Sequence, residues 1–433
     1  MKRTTLFRLG IFQLTAGGLS VLFLGVLNRV MRIELGLPLI TVSVLVGGGH
    51  YLGALIAIPF GHYSDRHTLA GYQRSAYIIL GAVTVALILA LSPWIVSWLA
   101  QDPSIIRTTV SFLFFLLEGV ATYVAGTAYL SLITDLTDES ERGQATGLVW
   151  TLLMVGIIVS GIISSIALGT YSFNRFVLIF QVGALTAIAL AIFALWRQEH
   201  RSGRALQHPS GGFGESLRMI ATNSQARWFG GFLFLGMFSY FMQDVLLEPF
   251  GGEVFELSAA ATTRFNVYMG LGVVAGMLGG GLRLIPSQGK RWVIALGIVL
   301  MIFAFISLAG SALAGISSVL PISLLILGLG AGFFTVGGVA LMMDMTSSEH
   351  TGLFVGAWTL IQALAKGPTA IVGGVLQSAL VAFGGTPAQA YAGVFTLEAV
   401  GLTISLLLLR QVTVERFRGD VESFGSLAVE AIQ

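Results

Sequence analysis

Residues 135–150 read DLTDESERGQATGLVW, and residues 344–358 read DMTSSEHTGLFVGAW. Set side by side, Asp135 matches Asp344, Thr137 matches Thr346, Gly143 matches Gly352 and Gly147 matches Gly356. Each copy is a polar loop, and each follows the fourth long apolar run of its part of the chain. A loop repeated in the same place predicts two related halves.

The rest of the sequence fits that layout. The mean hydropathy is +0.87. Of 433 residues, 55% are hydrophobic and 10% are charged, against roughly 25% charged in a soluble domain. A membrane span needs about 20 apolar residues to cross about 30 Å of hydrocarbon. Twelve such stretches follow one another, from roughly 9–31 through 228–250 to 391–410. The predicted fold is therefore an all-α membrane protein of twelve transmembrane helices in two six-helix halves. The 55 glycines suit helices that approach closely in lipid.

The longest polar stretch divides the spans six and six. The expected layout is an N-terminal half over 1–196, a cytoplasmic linker over 197–226, a C-terminal half over 227–411 and a cytoplasmic tail over 412–433. Within the linker, GESLRMIA (214–221) is expected to form a short interfacial helix. The first apolar run is too long for a signal peptide and lacks a cleavage pattern, so it reads as an uncleaved helix. Lys and Arg gather on the side shared by both termini, while Arg29, Arg32, Arg107, Arg175 and Arg264 fall on the other. That bias predicts both termini in the cytoplasm.

Several function classes are excluded by composition. A net charge of +2 gives no reason to expect nucleic acid as a partner. The absence of cysteine removes disulfides, thiolate metal sites and cysteine nucleophiles. No GK[ST] phosphate loop, HExxH or CxxC occurs, so no enzyme is expected. GLGAGFF (328–334) lies inside a span and reads as helix packing.

Ionisable groups inside the spans are costly and mark functional candidates. The seventh span carries FSYFMQDVLLEPFGGEVFEL (238–257), with Gln243, Asp244, Glu248 and Pro249. At 1.5 Å per residue, Asp244 lies about 24 Å in and Glu248 about 30 Å in, near the outer boundary. The pair is four residues apart and is expected to share a helix face. Pro249 is expected to end or kink the helix and Gly251–Gly252 to free the chain after it. The first span brings Asn28, Arg29, Arg32 and Glu34 to the same level. These residues read as ordinary interfacial charges, as an outer gate of opposed charges, or as a proton-coupling site. Three groups lie deeper. His50, preceded by three glycines and followed by Gly53, is expected near midplane beside open space. It is either a hydrogen-bonded interior histidine or a metal ligand. Glu118 falls at a similar depth, as a proton relay, a ligand contact or a neutral structural acid. Lys366 sits beside Gly367–Pro368, an expected helix break, and needs a partner such as Glu118 or Asp244. Glu398, on the twelfth span, is expected to face a partner protein or the interface.

Two resemblances refine the picture. GHYSDR (61–66) resembles the cytoplasmic signature of the major facilitator superfamily, although the usual Gly-Arg-Arg tail is absent and the second half has only RLIPSQGKR (283–291), without an acid. The resemblance implies that Asp65 and Arg66, after Gly61, hold the halves closed on the cytoplasmic side; otherwise Arg66 only anchors topology. Asp135, Arg142 and Asp344 of the repeated loops are assigned to the same cytoplasmic gate. LNRVMRIELGLP (27–38) and QDVLLEPFGGEVF (243–255) resemble hallmarks of the PucC/LhaA group, the bacteriochlorophyll delivery family within that superfamily. This resemblance covers essentially the whole chain. It implies a photosynthetic membrane, lipid contact, a chlorophyll or bacteriochlorophyll ligand, and light-harvesting or photosystem apoproteins as partners. In such a protein His50 or Glu248 is a candidate ligand for the pigment magnesium. Two other classes stay open: an assembly factor that moves no pigment, and a proton-coupled exporter of an unrelated small molecule with Glu118 as its coupling acid.

Overall fold

The computed structural model describes residues 3–56, 60, 63–64, 67–137, 142–169, 171–199, 223–345 and 351–417. Apart from one isolated bridge between Leu69 and Tyr72, its regular structure among the described residues is helical. Eleven helices are long and apolar enough to cross a membrane, and a bent pair makes a twelfth. They are α1 (Thr5–Glu34), α2 (Leu39–Ile56), α3 (Ser75–Gln101), α4 (Ile105–Leu136), α5 (Arg142–Leu168) and α6 (Phe173–Leu195) in the first half. The second half holds α7 (Ser224–Val245 and Leu247–Phe255), α8 (Ala259–Gln288), α9 (Lys290–Ala314), α10 (Leu320–Asp344), α11 (Thr351–Ala382) and α12 (Pro387–Leu409). The end where α1 starts and α12 finishes is called proximal, and the opposite end distal.

The helix surfaces are apolar outward as well as inward. Ile105, Ile166, Leu185, Leu282 and Phe383 are exposed. An all-round apolar helix of this length belongs in lipid. The halves meet along two seams, α2 against α11 and α5 against α8. Glycine makes these approaches possible. A Cβ on Gly47 would collide with Ala370 of α11, and one on Gly53 would collide with the backbone of Gly119 in α4. The run before His50 is therefore filled by neighbouring helices. The glycines are not what leaves space beside His50, because missing side chains draw backbones together. The Gly53→Ala substitution is expected to destabilise the protein by about 1–3 kcal/mol, since a backbone neighbour has no rotamer with which to yield. An unchanged thermal midpoint in detergent would contradict this packing.

Two further expectations change. Pro368 lies within a continuous α11, with no break beside Lys366. The hydroxyl of the next residue, Thr369, donates back to the Ala365 carbonyl within the same helix. Gly251 and Gly252 are buried in the second segment of α7. A Cβ on Gly251 would come within 2.7 Å of the Phe265 ring, and one on Gly252 within 2.9 Å of Ile33. They are contact points, not a flexible joint. Just past α12, Val412 and Phe417 are buried against the second half. The expected interfacial helix at 214–221 lies outside the described residues.

Candidate functional site

A cavity of about 540 Å³ lies between the halves. Its walls are mainly apolar, and His50, Glu118, Asp244, Glu248 and Lys366 all reach it. Two stretches next to lining residues depart from the α-helix. Val21–Leu27 of α1 and Ser43–Gly49 of α2 are wound as π-helix, a rare geometry that collects at functional sites. The wider turn rotates whatever follows, here Asn28 and His50.

His50 and Glu118 form one unit. Nδ1 of His50 and Oε2 of Glu118 are 2.6 Å apart, and the Thr122 hydroxyl donates to the other carboxylate oxygen at 2.9 Å. An ionised carboxylate only accepts, so the hydrogen is assigned to Nδ1 and the lone pair to Nε2. The imidazole also packs against the rings of Phe23, Tyr51 and Tyr123. Glu118 is 3% exposed, so its partner is what permits its burial.

Asp244 sits where α7 breaks. Met242–Val245 forms a turn of 3₁₀-helix, and the two segments of α7 bend by 47°. Pro249 has no N–H, so the Val245 carbonyl four residues earlier loses its helical donor. Asn28 supplies one, with Nδ2 donating to that carbonyl at 2.9 Å. Proline thus creates an acceptor in one half, and the other half fills it. Asp244 and Glu248 lie on opposite sides of the break, and both still reach the cavity. Asp244 accepts from the Tyr51 hydroxyl at 2.8 Å and from Gln243 Nε2 at 2.7 Å. Glu248 accepts from Asn266 Nδ2 at 2.7 Å. Its other oxygen is buried without a hydrogen-bond partner.

The distal charges pair differently from the sequence expectation. Arg29 binds Glu34 at 2.6 Å and the Leu257 carbonyl at 2.9 Å. Arg32 binds Glu253 through two nitrogens, at 2.6 and 3.2 Å. Tyr391 donates to the same carboxylate at 2.9 Å. The arginines therefore do not form ion pairs with Asp244 or Glu248, although Arg29 is within electrostatic reach of Glu248. Glu253, Tyr51 and Asn266 were absent from the expected set. Glu253 lies inside the stretch that singled out its neighbours. An unpaired Arg32 at the same depth was the signal that pointed to another acid.

The structure separates the remaining candidates. Lys366 places its ammonium 4.1 Å from the Phe241 ring centre, within electrostatic reach of Asp244 but in no ion pair with it among the described residues. Glu398 is fully buried, with both oxygens lacking a hydrogen-bond partner. It does not face lipid or a partner, because α12 turns that side toward α7, α9 and α11. At the proximal end Arg74 pairs with Asp135 at 3.2 Å and Lys290 with Asp344 at 2.7 Å. The matched acids of the repeat thus take a base from the start of the preceding helix, and each of these two pairs lies within one half. Arg142 opens α5, but its side chain lies outside the described residues, as do Gly61, Asp65 and Arg66. Among the described residues, hydrogen bonds that cross between the halves at the distal end include Asn28–Val245, Arg32–Glu253 and Ser165–Ala260.

Comparison with known proteins agrees with this arrangement. A solved bacterial homologue of the human lysosomal transporter Spinster, in an inward-facing and unoccupied conformation, superposes with a TM-score of 0.73 at 17% identity, covering 96% of this chain and 98% of that one. The chain thus has the fold of major facilitator transporters. Among sequences, Protein PucC of Rhodobacter capsulatus is 30% identical over 93% of this chain and 90% of its own length. A protein named bacteriochlorophyll synthase 44.5 kDa chain, also from Rhodobacter capsulatus, is 33% identical over 85% of this chain and 86% of its own length. The PUCC protein family model matches residues 26–417, and the chain belongs to that family.

Proposed function

We propose that the protein binds a chlorophyll or bacteriochlorophyll in the central cavity and hands it to light-harvesting or photosystem apoproteins in a photosynthetic membrane. The observation that carries this reading is the orientation of His50. Its Nδ1 is held by Glu118 at 2.6 Å, and it lines an apolar cavity of about 540 Å³. A histidine fixed through one nitrogen by a carboxylate, with the other nitrogen free, is the usual arrangement of a metal-ligating imidazole. The cavity falls within the range of about 300–1,000 Å³ typical of small-molecule sites. His50 fits the magnesium better than Glu248 does, because the one unpartnered oxygen of Glu248 is sealed off from the cavity. His50 would hold the magnesium, which would supply a Lewis-acid coordination site; the mainly apolar walls and the polar groups of the cavity would meet the rest of the ring. The name of one relative, bacteriochlorophyll synthase 44.5 kDa chain, supports pigment handling. The excess of Lys and Arg on the proximal side supports cytoplasmic termini.

Docking of apoproteins without pigment is the weaker alternative, since Glu398 faces inward and gives it no anchor. Glu118 serves His50, which favours ligand binding over export driven by that acid alone. The test is an absorption spectrum of the protein purified in mild detergent from a pigment-producing host. Near-stoichiometric tetrapyrrole is expected. Protein that carries antenna polypeptides but no pigment would replace this reading with the docking one.

A further inference from the structure

The cavity contains a cation with no acceptor. Lys366 reaches the cavity from α11, and its neighbour there is the Phe241 ring, 4.1 Å away. Among the described residues its ammonium makes no hydrogen bond. Asp244, which accepts from Tyr51 and Gln243, is the acid within electrostatic reach, but no hydrogen bond joins it to Lys366 among the described residues. The Phe241 face takes one side of the ammonium as a cation–π contact, which still leaves its three N–H donors without an acceptor among the described residues. Holding one inside a membrane span is costly, which makes a structural role a poor account of it. The walls around it otherwise suit a flat apolar ring.

We propose that Lys366 receives a negatively charged carboxylate of the cavity ligand, so that the site prefers the free-acid form of a magnesium tetrapyrrole over its esters. This rests on the reading of the cavity as a tetrapyrrole site and names the form it selects. The chemistry is direct. A propionate side chain ends in two acceptor oxygens with a full charge. Esterification removes the charge and leaves a weaker carbonyl acceptor. A charge-assisted hydrogen bond in a dry site separates the two forms by about tenfold in affinity.

The experiment compares bacteriochlorophyllide a with its methyl ester, titrated into purified full-length protein and followed by the shift of the red absorption band. The methyl ester changes the charge without adding a long tail, so bulk does not confuse the result. The free acid is expected to bind about tenfold more tightly. In Lys366→Gln the preference should vanish while ester affinity stays within a small factor, and in Lys366→Arg the preference should persist. Equal binding of the two ligands to the wild type overturns the proposal, as does a preference that survives Lys366→Gln. In both cases the tetrapyrrole site stands, provided His50→Ala still abolishes binding. If neither ligand binds the wild type, the pigment reading falls and takes this inference with it. Should Lys366→Gln fail to fold, the comparison of the two ligands on the wild type decides alone.

Discussion

Replacing His50 with alanine is expected to strip tetrapyrrole from the purified protein, with an affinity loss of about 100-fold or more. The reasoning runs through the ligand itself. If Nε2 is the axial donor, its removal leaves only ring contacts, which are shared among many apolar side chains. Glu118→Gln is the subtler test. Glutamine keeps the shape and one acceptor oxygen, but it loses the charge that fixes the imidazole and raises its basicity. Changes of this kind beside a metal ligand cost about 10–100-fold. The expected order is therefore wild type, then Glu118→Gln, then His50→Ala. The absorption band should show the same order, because weaker axial ligation changes the environment of the ring. Stability has to be followed alongside. His50→Ala leaves Glu118 buried with only Thr122 as a donor, and an orphaned polar group costs about 1–3 kcal/mol. The double variant His50→Ala with Glu118→Gln relieves that burial. It should recover much of the thermal midpoint and none of the pigment. Recovery of both would show that His50 acts only by holding the bundle together.

The sequence makes depth legible and leaves azimuth hidden. Counting at 1.5 Å per residue places His50 and Glu118 at a common level, and the structure joins them at 2.6 Å. Nothing in the count says that they face each other, because the π-helical stretch at Ser43–Gly49 turns His50 by an amount that a regular helix does not. Asp244 and Glu248 show the same limit. Their spacing implies one face only if the helix is regular, and Pro249 removes that premise. The proline was visible, but its partner Asn28, 217 positions away from Val245, was not. Glu398 shows the reverse error. It was expected to face a partner protein or the interface, and it is instead fully buried among the helices of its own half. The repeated loop was the most legible feature, since Asp135 and Asp344 occupy matching positions and meet matching bases. It revealed the symmetry of the halves without showing that each pair stays within its own half.

The distal pair Arg32–Glu253 leads to a second large effect, this time on conformation. The two side chains come from opposite halves, from α1 and α7, and meet through two hydrogen bonds. They are partly buried, at 23% and 16% exposure, so screening is weaker than at a free surface. Bidentate pairs in such settings are the strong kind. Together with Arg29 on the Leu257 carbonyl and Asn28 on the Val245 carbonyl, they close the distal end. If this closure is reversible, the closed and open states differ by a few kcal/mol. Removing one member of the pair, at about 1.5–3 kcal/mol for a charged hydrogen bond, is enough to shift the two populations by about tenfold or more. The chain has no cysteine, so two spin labels can be attached without background. Ile105 and Phe383 are exposed positions at the distal ends of α4 and α11. The label-to-label distance is expected to be short and narrowly distributed in the wild type. Arg32→Ala and Glu253→Ala should each add a longer component. The double variant should resemble the singles, because either change alone already breaks the pair. Glu253→Ala should open the end somewhat further, since it also releases Tyr391. A distribution unchanged in all three variants would assign the closure to apolar packing and leave the arginine as a mere anchor at the membrane boundary.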